Sequence, residues 1–76
     1  MVHSLKISPT YYDAVEHGLK PFEVRKKDRP FAVGDTVILY EYDERYTGRA
    51  LHRIITYILD DPKYCKEGHV IFSLSD

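Results

Sequence analysis

Tryptophan is absent from this sequence, cysteine and methionine occur once each, and glycine and proline four times each in 76 residues. The single Cys65 excludes an intramolecular disulfide, and with no second cysteine beside it a zinc site has no starting point. No stretch is rich enough in glycine or proline to read as a linker, and no segment repeats. No apolar run approaches the roughly 18 residues that a spanning helix needs. Met1-Val2-His3-Ser4 leads into an alternating segment rather than a signal-peptide stretch, so a cytoplasmic protein with no membrane partner is expected. Neither sign of charge dominates: 11 Lys and Arg face 12 Asp and Glu, for a net charge of -1. That balance excludes a chain that binds nucleic acid through bulk positive charge, and any basic surface must be local.

What is present is 43% hydrophobic and 30% charged residues, the balance of one folded domain over residues 1–76. A chain this short buries only about 60% of the surface it exposes when unfolded, so one modest core carries its stability. The charge is unevenly placed. Residues 1–30 carry six Lys and Arg against four acids, and residues 31–76 carry five against eight, giving +2 and -3.

Leu5-Lys6-Ile7 alternates and predicts a short first strand. Ser8-Pro9 then supplies an N-cap and a proline at the first helical position. Tyr11, Val15 and Leu19, spaced by four, predict the apolar stripe of a helix, and Gly18 suits its left-handed stop. Phe22-Glu23-Val24-Arg25 alternates, so Phe22 and Val24 share one face of a half-buried strand and Glu23 and Arg25 the other. Residues 26–30 read as an exposed loop whose far end Phe31 pins, and Val33-Gly34-Asp35 as a turn. The β-branched and aromatic run at 36–42 predicts a central strand, 43–48 a loop, 50–59 a long strand paired with it as a hairpin, and 69–74 a last strand. The fold class is therefore α+β: about five strands in a small curled sheet or mixed β-barrel, with one N-terminal helix plugging or capping an end.

Between residues 18 and 25 the chain leaves a helix, turns at glycine and enters a strand with three charged side chains close together. Glu23 and Arg25 share a face and Lys20 precedes the strand, so all three can line one rim of a cleft, with Lys27 extending the alternation. The pattern Gly18-x-Lys20-x-x-Glu23-x-Arg25 resembles the signature of ASCH-type domains of the PUA superfamily. The similarity continues through Lys26-Lys27-Asp28-Arg29-x-Phe31-x-Val33-Gly34-Asp35, Tyr46-Thr47-Gly48-Arg49 and Ile54-Ile55-Thr56-Tyr57-Ile58. It is closest to a compact bacterial and phage-type subgroup of unassigned function.

That resemblance implies a PUA-like barrel with a cleft for RNA or a nucleotide-like ligand. In this role Lys20, Arg25, Lys26, Lys27 and Arg29 contact phosphates, and Tyr11, Tyr42 or Tyr46 stacks on an unpaired base. Glu23 repels phosphate, and its task is either to accept from a cytosine amino group or to hold Lys20 and Arg25 in place. The resemblance also implies an alternative, since some small ASCH domains are amidohydrolases of acylated cytidines that work through a lysine, a threonine and a glutamate. Lys20 matches the lysine, but Glu23 stands where those members place threonine, and no residue is matched to their glutamate. If the chain is an enzyme, Lys20 is its base and Glu23 directs a water. A third reading is a protein-interaction or dimerising module, since seven tyrosines are many for this length. The sequence leaves the oligomeric state open.

Weaker signals are read structurally. His3, His17, His52 and His69 lie too far apart for a helical metal pair, and neither metal nor cofactor is expected. His3 and His69 flank the terminal strands and can meet in space. Cys65 has no sequence-adjacent histidine to activate it. The acidic groups Glu41-Tyr42-Asp43-Glu44 and Asp60-Asp61 read as solvated.

Overall fold

The structure, a computed structural model, describes all of residues 1–76. In chain order it contains β1 (Val2–Ile7), α1 (Pro9–Glu16), β2 (Phe22–Lys26), β3 (Thr36–Tyr42), β4 (Tyr46–Leu59) and β5 (His69–Ser75). The first strand is longer than Leu5-Lys6-Ile7 because it pairs in parallel with β3 along its whole length, from Val2 opposite Thr36 to Ile7 opposite Glu41. The fourth strand starts at Tyr46, inside the segment expected as a loop, because Tyr46 pairs with Tyr42 and narrows the hairpin to its tip. There Glu44 takes a left-handed conformation with φ 63°.

Ser8 is extended and precedes Pro9 at the start of α1, as its sequence predicts, although its hydroxyl makes no capping bond. The helix ends at Glu16, and Gly18 at φ 74° turns the chain so that the amides of Leu19 and Lys20 both donate to Ala14 O. Leu19 is thereby swung out of the helix and is 80% exposed. The buried helical pair is Tyr12 and Val15, not the expected stripe of Tyr11, Val15 and Leu19. A spacing of three rather than four selects the inward face, because the helix stops before Leu19 can join it.

The strands form one mixed sheet in the order β1-β3-β4-β5-β2, antiparallel except for β1 beside β3. It curls around a core of Leu5, Ile7, Val37, Leu39, Ile55, Val70, Phe72 and Leu74, with Tyr12 and Val15 of the helix laid against them. Fully burying each such side chain contributes about 1.5–3 kcal/mol. Phe31 pins the far end of its loop as expected, its ring 4.9 Å from Phe72 and 4.7 Å from His3. The expectation of a barrel holds only in part, because β1 and β2 stand at opposite edges and do not pair. The result is a half-barrel with an open seam. No helix is long and apolar enough to cross a membrane.

Candidate functional site

The seam follows from the direction of the backbone groups on its two flanking strands. Thr36 N donates to Met1 O, so in the parallel ladder the odd residues of β1 face β3 and Ser4 and Lys6 face away. On β2, Lys27 N donates to Gly68 O and Pro21 O accepts from Leu74 N, so the odd residues face β5 and the peptide groups of Val24 and Lys26 face the seam. Two arginines reach across it: Arg25 Nη2 donates to Lys6 O at 2.7 Å, and Arg29 Nη1 donates to Ser4 O at 3.1 Å. They satisfy carbonyls that an open edge leaves bare.

Over this seam lies a cleft of about 900 Å³, lined among others by Ser4, Lys6, Val24, Lys26, Arg29 and Tyr46. Neither Lys6 nor Lys26 is in an ion pair, and Arg29 meets only the exposed Asp28 at 3.4 Å. Lys6 Nζ rests 4.3 Å from the Tyr42 ring centre and 5.6 Å from that of Tyr46. Tyr46 meets Tyr40 and Tyr42 edge-on and is 59% exposed. The cleft thus offers positive charge with little carboxylate pairing beside an aromatic surface.

A second depression adjoins the first, sharing Lys6, Val24 and Arg25 with it. Here Lys20, Glu23 and Arg25 converge. The Glu23 carboxylate accepts from Lys20 Nζ through one oxygen and from Arg25 Nε, at 2.7 Å, through the other. Lys20 Nζ also donates to Phe22 O at 3.0 Å and lies over the rings of Tyr11 and Phe22. The alternation of residues 22–25 is as expected, but the inward face is the charged one. The Glu23 side chain is only 4% exposed, whereas Phe22 and Val24 are exposed. The cause is register: Glu23 lies opposite Phe72 and Arg25 opposite Val70, both of which point into the core. Glu23 is therefore the buried hub that holds the two cations rather than a third group on an open rim.

The seven residues singled out in the sequence consequently divide. Lys20, Glu23 and Arg25 form the second depression, and Arg25, Lys26, Arg29 and Tyr46 line the main cleft. Lys27 belongs to neither, because its ammonium is held 2.9 Å from Asp60, just past the end of β4.

A further cluster went unread in the sequence. Glu41, expected to be solvated, is buried and accepts from Arg49 Nη2 at 2.7 Å, from Arg49 Nε at 3.0 Å and from the Thr47 hydroxyl. Arg49 also reaches Asp13 on the helix at 2.9 Å and stacks over Tyr12. These bonds, Arg49 first and Thr47 second, hold the Glu41 carboxyl down to about 2. The signal was available, since Val37, Leu39 and Glu41 share a face by the period of two, and a carboxylate ending an apolar face requires a partner. At the other end of the sheet Asp35 is within 2.8 Å of His3 Nε2, accepts from the terminal ammonium and from Ala32 N, and is likewise lowered to about 2, chiefly by the His3 bond. His3 thus does not meet His69, whose Nδ1 bonds Glu67 O instead. No three His, Cys, Asp or Glu side chains gather as a metal site.

Fold and site together define a small half-barrel domain with a cationic seam between its edge strands. A family model described as a domain of unknown function, DUF3850, matches residues 2–74, and the chain belongs to that family. Over 60 residues it is 42% identical to a protein of Escherichia phage P2 described as an uncharacterized 12.9 kDa protein in the GpA 3' region. The match covers 78% of this chain and 55% of the phage protein, so the chain spans little more than half the length of that relative.

Proposed function

We propose that this domain is an ASCH-type, PUA-like module that binds RNA or a nucleotide-like ligand in the seam cleft. The observation that carries the reading is the pairing of Lys6, Lys26 and Arg29, cations with no strong carboxylate partner, with the exposed ring of Tyr46 in one cleft. Phosphates take the cations and an unstacked base takes the ring. The signature at Gly18, Lys20, Glu23 and Arg25 supports the reading by building the adjoining wall, with Glu23 fixing Arg25 in place.

Binding is favoured over hydrolysis of an acylated nucleoside. Position 23 carries a carboxylate in place of a hydroxyl nucleophile, and both of its oxygens are already engaged by Lys20 and Arg25. The test is titration of a labelled single-stranded oligoribonucleotide at several salt concentrations. Three neutralised phosphates give a logarithmic slope of about -2, a loss of about 20-fold in affinity between roughly 50 and 200 mM salt. Absence of binding at the lowest salt overturns the proposal.

A further inference from the structure

The floor of the cleft contains main-chain groups as well as side chains. Of the peptide groups aimed into the seam, the carbonyls of Ser4 and Lys6 are taken by Arg29 and Arg25, whereas Val24 on the opposite bank has no sheet partner on that side. Val24 borders both depressions and is 50% exposed. Its N–H and C=O point the same way from an extended strand, forming an adjacent donor and acceptor.

An adjacent donor and acceptor is what the Watson–Crick edge of every nucleobase presents in complementary form. We infer that the ligand of this cleft is single-stranded, and that an unpaired base docks its Watson–Crick edge on the Val24 main chain while the neighbouring phosphates lie on Lys26 and Arg29. This rests on the reading of the cleft as an RNA site and adds which form of RNA it takes and what holds the base. A duplex is excluded, because its base edges are already paired.

An extended peptide is the other occupant that a bare strand edge invites. The lining favours the nucleic acid. The β1 bank has its carbonyls occupied, so an added strand cannot zip onto both sides. The cleft offers Lys6, Lys26, Arg29 and the Tyr46 ring where a strand-binding groove needs alternating apolar pockets.

The Val24→Pro variant is the direct test, because it removes an N–H that faces the seam and bonds no strand, and edge strands tolerate proline at such a position. With wild-type melting retained, it is expected to weaken binding of a single-stranded hexaribonucleotide about tenfold, whereas Val33→Thr, at an exposed position outside both depressions, leaves binding unchanged. Where Val24→Pro does not fold, amide exchange of the wild-type protein takes over: the Val24 amide gains protection on adding the hexamer, and an abasic hexamer with the same phosphates gives none. Wild-type binding with the Val24 amide unprotected, or equal affinity for a duplex, overturns this inference and leaves the RNA reading standing. Failure of the wild type to bind any oligonucleotide, or binding only to an acidic hexapeptide, overturns both.

Discussion

Removing the Glu23 carboxylate is the most informative single change, because the inverted strand makes it a buried hub. In Glu23→Ala, Lys20 and Arg25 lose their shared counterion while their side chains remain only 17% and 23% exposed. Deleting one partner of a buried ion pair costs about 3–5 kcal/mol when the other is left stranded. Here each cation keeps a carbonyl, Phe22 O for Lys20 and Lys6 O for Arg25, so the expected cost falls to about 2–3 kcal/mol. For a domain of this size each kcal/mol moves the melting temperature by about 4–8 °C, so thermal unfolding followed by circular dichroism should show a drop of about 10–20 °C. The double variant Lys20→Met with Glu23→Leu should recover part of the loss, since two of the charges then leave together. A shift below about 3 °C for Glu23→Ala would refute the burial argument and return Glu23 to an exposed rim, where its pairs are worth about 0–1 kcal/mol.

Acid unfolding should report the two depressed carboxyls. Glu41 and Asp35 are lowered to about 2 from their ordinary values of 4.5 and 3.8, so the unfolded chain binds more protons within that window. Their contribution is fully present above about pH 4.5 and is lost as pH falls toward 2. Arg49→Met should flatten the acid limb of the melting-temperature profile, and an unaltered limb would count against the Glu41 assignment. Tyr46→Ala should weaken oligoribonucleotide binding by about 1–3 kcal/mol through lost base stacking while leaving the melting temperature nearly unchanged. Equal binding by this variant would remove Tyr46 from the site.

Local chemistry was legible in the sequence wherever it is self-contained. The proline after Ser8, the glycine at 18 and the β-branched run at 36–42 each specify their own backbone, and all three behave as read. The period of two correctly divided Phe22 and Val24 from Glu23 and Arg25. Which of those faces turns inward is decided by β5, some 47 residues away, through Glu23 opposite Phe72 and Arg25 opposite Val70. The seam was hidden for the same reason, since a strand order that places β1 and β2 at opposite edges depends on pairings no local window contains. Arg49 escaped notice because its partners Asp13 and Glu41 come from two other elements.

The parallel pairing of β1 with β3 also bears on how the chain acquires its shape. Strands β3, β4 and β5 follow one another as antiparallel neighbours, with connections short enough to close early. The first strand cannot find its place until that meander exists, because its partners begin at Thr36, 34 positions downstream of Val2. Such a non-local contact forms late and opens early. The N-terminal segment, although made first, is then laid down only after its partner strand, as is β2, whose partners on β5 lie still farther downstream. Until it docks, the arginines at 25 and 29 have no carbonyls to bridge, and the cleft has only one of its banks.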